Sequence, residues 1–311
     1  MAAFVTVLPP PERRLLGIGF RCMAATAFAI MNAGLKIASN RGVSVPELVF
    51  YRSLGALPLV SLWVLLGPGI GALRTRNPMA HLTRSVIGLV SLTLTFAALS
   101  WLPIAEATTL AYSAPVVATL LSALVLREAI GPRRWMAVLV AFAGMVLVMR
   151  PGGSGAALPA IGIAFGVAAA FGQSAVMITL RQIGRTENTV GIVFWFTTFT
   201  TLAAALALPF FGHLHSSGTM ALLIGAGLFG GIGQLAMTAS LRFAPVSVVV
   251  PFDYLQMLWA ALIGWGLFGS APASTMLAGA ALIAASGIYT AYRERLRGRE
   301  PSEARAMPEG T

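Results

Sequence analysis

Apolar runs of roughly 20 residues follow one another along almost the whole chain, separated by short connectors rich in Gly, Pro, Ser and Arg. At a rise of about 1.5 Å per residue, a helical run of that length crosses a hydrocarbon layer about 30 Å thick. The pattern predicts ten spans, at 17–36, 46–66, 81–101, 105–126, 134–149, 158–180, 189–209, 218–241, 245–268 and 274–292. Lipid offers the backbone no hydrogen-bond partner, so spans of this kind must be helices, and the predicted fold class is an all-α integral membrane protein. Residues 1–16 read as a tail with Pro9, Pro10 and Pro11 and without a cleavage signal. Residues 293–311 read as a charged tail.

Composition changes the picture only by exclusion. Hydrophobic residues make up 57% of the 311 and charged residues 10%, which is outside the range of soluble domains. The net charge of +11 raises nucleic acid as a partner, but the arginines lie singly or in pairs between apolar runs and form no basic face. Cys22 is the single cysteine and sits inside the first run, so neither a disulfide framework nor a thiolate metal site is expected. His213 and His215 lack a third ligand, and no metal or cofactor is expected.

Charge also orients the chain. With the N-terminus inside, one side collects Arg13, Arg14, Arg74, Arg76, Arg127, Arg133, Arg134, Arg181, Arg185, Arg242, Arg293, Arg295, Arg297 and Arg299, and the other only Arg41 and Arg150. The positive-inside rule then predicts two cytoplasmic termini and a multi-pass protein of the inner cell membrane. The halves 17–150 and 157–292 echo one another, with AEATTLAYSAP at 105–115 and PVSVVVPFDYL at 245–255 after short connections, and Gly144 and Gly287 late in each. Five spans are an odd number, so the second half enters from the opposite face as an inverted repeat.

Three segments carry a family resemblance: LKIASNRGVSVPELVFYRSL at 35–54, LTRSVIG at 82–88, and 102–152, which opens LPIAEATTLAYSAP. They resemble the drug/metabolite transporter superfamily, EamA type. The resemblance covers nearly the whole chain and implies a ten-helix transporter of a small organic solute. Within the superfamily the first half is similar to bacterial S-adenosylmethionine and riboflavin uptake carriers, and the plan is also similar to amino-acid exporters. Phe268 and Gly269 stand where the second half of such proteins often has a glutamate like Glu128.

Ionisable groups in a membrane span are expensive and therefore informative. Arg21, Ala25, Phe28, Asn32 and Lys36 share a face of the first span, so Arg21 and Lys36 form either basic lips of a cavity or snorkelling anchors, with Asn32 facing the cavity. Arg52 lies about 8 Å deeper than Glu47. It meets a substrate anion or pairs with Glu47 or Glu106. Arg84 heads a stripe of Gly88, Ser91 and Thr95 that either lines a wet path or packs helices.

The fourth span carries Thr108, Tyr112, Pro115, Thr119 and Ser122 on one face, and Pro115 frees a carbonyl near Ala111. In the ninth, Pro251 opens the backbone before Asp253 and Tyr254. Asp253 is either a proton-coupling carboxylate, with Glu106 as a second, or an ion-pair partner of Arg242. Gln173 and Gln234 place amides in otherwise apolar spans, and Trp101, Trp195 and Trp259 offer stacking surfaces or interfacial anchors.

Gly225, Gly227 and Gly230 spell GxGxxG without a preceding strand, so no dinucleotide loop is expected. The pairs Gly162 with Gly166 and Gly227 with Gly231 fit close helix packing instead. No nucleophile–base set marks an enzyme, and no soluble domain marks a sensor, so a secondary transporter, monomeric or homodimeric, is the leading reading over those two.

Overall fold

The structure, a computed structural model, describes residues 14–114, 116–118, 121, 132–149, 158–184, 186–244 and 246–297. Every regular element among them is helical. They are α1 (Arg14–Asn40), α2 (Val45–Leu66), α3 (Pro78–Trp101), α4 (Ile104–Ala111), α5 (Pro132–Met149), α6 (Ala160–Ile183), α7 (Thr189–Phe211), α8 (Ser217–Phe243), α9 (Leu255–Phe268) and α10 (Ser274–Arg297). Among the described residues six of them, α1, α2, α3, α6, α7 and α8, are long and apolar enough to cross a membrane. Within α5 and α10, Trp135–Val148 and Ser274–Tyr289 are shorter apolar segments.

Local chemistry fixes where these helices start. Asn77 accepts a hydrogen bond from the Ala80 amide at 3.1 Å, and Pro78 supplies a preset φ where no backbone donor is needed. Asn188 and Ser216 cap α7 and α8 in the same manner. At α2 the Glu47 carboxylate turns back on the Ser44 amide at 2.8 Å, the acidic half of a capping box.

The helices run alternately between two ends of the bundle. One, the Arg14 end, holds the connectors 67–77, 184–188 and 244–254, and the other, the Asn40 end, holds 41–44, 102–103, 212–216 and 269–273. Helices of the first half pack on helices of the second: α1 and α2 on α8, α2 also on α7, α3 on α6, and α5 on α10. The tightest crossing is Gly55 on Gly227, where a Cβ on Gly227 would stand 2.4 Å from the Tyr51 carbonyl oxygen. Gly144 crosses Gly279 in like fashion. Lipid gives helices no hydrophobic reason to associate, so close backbone contact of this kind replaces it.

Leu35, Leu48, Phe96, Leu102, Ile104 and Leu110 fill the space between the halves, while Leu62, Leu66, Leu206, Phe210 and Trp265 point outward. An apolar exterior around a packed interior is the inverse of a soluble bundle and suits a lipid solvent. The glycines spelling GxGxxG lie in α8, with no strand before them. Gly162, Gly166, Gly227 and Gly231 all sit against neighbouring helices, as close packing requires.

The fourth and ninth elements are broken. α4 stops at Ala111, four residues before Pro115, which itself lies outside the described residues. In the ninth, a single turn Val246–Val249 gives way to a 3-10 turn Val250–Tyr254 before α9 begins. Pro251 sits in the first turn of that 3-10 segment, where its missing N–H costs nothing. Both interruptions include buried residues, Ser113 and Ala114 in one and Val249 and Tyr254 in the other, as irregular backbone near lipid requires.

Candidate functional site

Charged side chains gather at three depths. Nearest the Arg14 end, Arg21 of α1 forms a two-pronged ion pair with Asp253 of the 3-10 turn, Nε to Oδ1 and Nη2 to Oδ2. Guanidinium and carboxylate match as planar forks, which makes this the strongest form of the interaction. The partner of Asp253 is therefore Arg21, 232 positions away, where the sequence offered Arg242. Tyr112 and Tyr254 stand beside the pair, their ring centroids 5.8 Å apart and tilted by 52°. Tyr254 is buried and packs on α10 at Gly287.

At the Asn40 end the charges are also satisfied. Lys36 is buried, and its ammonium donates to the carbonyls of Leu99 at 2.7 Å, Ser100 at 3.2 Å and Leu102 at 2.8 Å. The last carbonyls of a helix have no partner within it and carry the negative end of its dipole, so a lysine there caps α3. Lys36 is thus neither a lip of a cavity nor a headgroup anchor. Glu47 accepts from the Ser44 and His213 amides and meets His215 Nε2 at 2.7 Å. His213 and His215 serve that carboxylate, and among the described residues no group of His, Cys, Asp and Glu is arranged to hold a metal.

Mid-depth is different. Arg52 lies seven residues into α2 from the Asn40 end and Arg84 six residues into α3 from the Arg14 end, about 10 Å and 9 Å inward along their axes. They are 7% and 8% exposed. Arg52 pairs with neither Glu47 nor Glu106, and Arg52 Nε and Arg84 Nε and Nη1 have no hydrogen-bond partner among the described residues. The two like charges are close enough to repel one another.

Arg84 reaches past Gly88, where a Cβ would stand 2.2 Å from Nη1, and lies 4.3 Å above the Phe196 ring of α7. Among the described residues that cation–π contact is the one favourable charge interaction the pair makes, and it is worth about 1–2 kcal/mol when desolvated. Each buried arginine costs about 2.5–3.5 kcal/mol on insertion scales. Two of them together rival the whole stability of an ordinary domain, so a packing role alone does not account for them.

The remaining candidates fall around this layer. The Ser91 hydroxyl, on the face of α3 that carries Arg84, is buried and unpartnered, whereas Thr95 bonds back to the Ser91 carbonyl at 2.8 Å. Gly172 of α6 touches Ser91, and Gln173 follows it, half-buried. Asn32 and Gln234 are half-buried on α1 and α8. Thr108 is buried on α4, and Glu106 keeps one carboxylate oxygen, Oε2, buried and unpartnered. Trp195 donates to the Leu73 carbonyl at 3.1 Å and anchors a connector, and Trp101 is exposed at the Asn40 end.

Phe196 and the role of Arg21 escaped the sequence reading. Phe196 sits in an aromatic run, FWF at 194–196, with nothing to mark which ring turns inward. The Arg21–Asp253 pair joins the two halves and follows from no local spacing.

An all-helical membrane protein with a polar layer buried between two sets of helices, and with broken helices beside it, has the build of a membrane carrier. Its sequence matches the EamA-like transporter family twice, at residues 15–150 and 160–292, and the chain belongs to that family. A riboflavin transporter of Rhizobium johnstonii is 29% identical over 299 residues, covering 94% of this chain and 96% of that one. The pseudopaline exporter CntI of Pseudomonas aeruginosa is also 29% identical, over 86% of this chain and 93% of its own. An S-adenosylmethionine uptake transporter of Rickettsia bellii is 22% identical over 90% and 94%. A solved crystal structure shares the fold at a TM-score of 0.59, with 21% identity, covering 89% of this chain and 98% of its own. The relatives named here are transporters and not enzymes.

Proposed function

We propose that this chain carries a small organic metabolite across the inner cell membrane by alternating access between two halves of opposite orientation. The observation that carries the proposal is the double match to a transporter family across nearly the whole chain. In this reading the chain has ten spans and both termini in the cytoplasm, so the Arg14 end faces inward. Asn32, Thr108, Tyr112, Gln173, Gln234 and Tyr254 line the path, and Arg52 and Arg84 mark its midpoint. The Arg21–Asp253 pair closes the cytoplasmic end by tying α1 to the break before α9. Protonation of Asp253 would release that tie, which is how a proton gradient would couple to movement, and Glu106 is the second carboxylate able to take part. Riboflavin and S-adenosylmethionine lead the solutes to be tried, because relatives along the whole chain are named for them.

Counterflow into proteoliposomes tests this directly. Purified protein is loaded with one unlabelled compound at a time, and uptake of its labelled form is followed for riboflavin, S-adenosylmethionine, and aromatic and polar amino acids. Accumulation competed by the unlabelled compound is the expected result. Absence of exchange for every compound, in vesicles holding folded protein, would remove these solutes and weaken the transport reading.

A further inference from the structure

We infer that Arg52 and Arg84 together grip an oxyanion, a carboxylate or a phosphate ester, on the solute. This rests on the transport reading and adds to it the charge of the cargo.

Three features of the layer point to an anion. Both arginines are more than nine-tenths buried, and neither has an acidic partner among the described residues. Among the described acids, Asp253 is engaged by Arg21 and Glu47 by Ser44, His213 and His215, while Glu106 keeps Oε2 unpartnered and makes no ion pair with either arginine. An anion beside them would offset the repulsion between two like charges, and a guanidinium offers parallel N–H donors matched to the oxygens of carboxylate or phosphate. Arg52 lies about 10 Å in from the Asn40 end and Arg84 about 9 Å in from the Arg14 end, so both sit within the apolar layer rather than among lipid headgroups.

The arrangement also limits the rest of the solute. Gly88 leaves room for Arg84 to lie over the Phe196 ring, which holds the guanidinium in place inside the bundle. The Ser91 hydroxyl, two turns along the same face of α3, is an unused hydrogen-bonding group about 10 Å from the position of Arg84. A solute with an anionic head and a polar group about 10 Å away would meet both.

The test uses matched compounds differing in the anionic group: riboflavin 5′-phosphate against riboflavin, phenylalanine against phenylalaninamide, and S-adenosylmethionine against its decarboxylated form. Binding to full-length protein in detergent is followed by thermal shift and tryptophan fluorescence. The anionic member of at least one pair should bind about tenfold or more tightly than its mate, a difference of about 1.4 kcal/mol. Arg52→Gln and Arg84→Gln should each erase that preference, and Arg→Lys at either position should restore part of it.

A second readout separates binding from scaffolding. With no solute present, neutralising one arginine relieves the repulsion, so each glutamine variant should melt at or above the wild-type temperature. Equal binding of both members of every pair, no binding of any anionic member, unchanged preference in both variants, or lower melting that lysine does not restore would overturn the inference. If the variants do not fold, the wild-type comparison of matched pairs decides alone. Binding without exchange in vesicles would sink the transport reading and spare this one. Exchange confined to the uncharged members would do the opposite.

Discussion

The charges at the two ends of the bundle and those at its middle obey opposite rules. At the ends, Arg21 meets Asp253, Lys36 meets three carbonyls, and Glu47 meets two amides and a histidine. Deeper in, Arg52 and Arg84 have no acidic partner among the described residues, and Arg84 lies over the Phe196 ring. Both sets are buried in a medium that penalises charge, so the difference is not one of environment. Satisfied groups fasten helices to one another, and buried groups without a partner among the described residues are the ones for which a ligand is proposed.

The middle layer gives the largest expected effect. Arg52→Gln and Arg84→Gln should each reduce solute exchange in proteoliposomes by about 100-fold, equivalent to about 2.7 kcal/mol, while the protein still inserts and purifies as a monodisperse species. Wild-type initial rates in both variants would show that these arginines are structural after all and erase the contrast.

At the ends the effect should fall on stability and closure. Lys36→Met strands three carbonyls at the end of α3, each worth about 1–3 kcal/mol when buried without a donor. Some relax onto water at the membrane surface, so a loss of about 2–4 kcal/mol is expected, read as a lower melting temperature in detergent. An unchanged melting temperature would mean that the cap contributes nothing.

Asp253→Asn removes one half of the Arg21 pair and should loosen the Arg14 end, shifting a two-state balance by about 1–3 kcal/mol. Cys22 is the only cysteine in the chain and lies next to Arg21, so its labelling by a water-soluble maleimide reports the change. Labelling should quicken in the variant, and an identical rate would argue that the pair does not hold this end shut.

The smallest effect concerns the connector at 184–188. Burial acts to raise the Glu187 pKa, but hydrogen bonds from His81, the Arg76 and Asn77 amides and Thr75 outweigh it and hold the carboxyl below its ordinary value of 4.5. A lowered folded pKa contributes stability that is present above the ordinary value and is lost as pH falls through the folded one. Melting temperatures should therefore drop below about pH 4.5, and Glu187→Gln should flatten that part of the profile by well under 1 kcal/mol. A variant that tracks wild type down to pH 3 would discount the contact.

Much of the architecture was legible because the membrane simplifies the physics. Each apolar run had to be a helix, and the six helices suited to crossing start and stop within a few residues of the expected spans. The break at Pro251 was equally readable, since a proline removes a backbone donor wherever it stands. Arg52, Arg84, Asp253 and Lys36 stood out because charge in such a chain is rare.

Their roles were not legible. Lys36 and Arg52 look alike on paper, both basic and both within a span, and only the position of the α3 C-terminus made one of them a cap. Arg21 found Asp253 through packing of the first half on the second, and Phe196 came under Arg84 by the same route.

The sequence by itself determined helicity, the membrane as solvent, the family and the short list of charged residues. Those follow from hydropathy, backbone hydrogen bonding and recurring motifs, each a property of neighbouring residues. The tertiary structure alone decided which charges are paired, because pairing depends on where helices far apart in the chain cross.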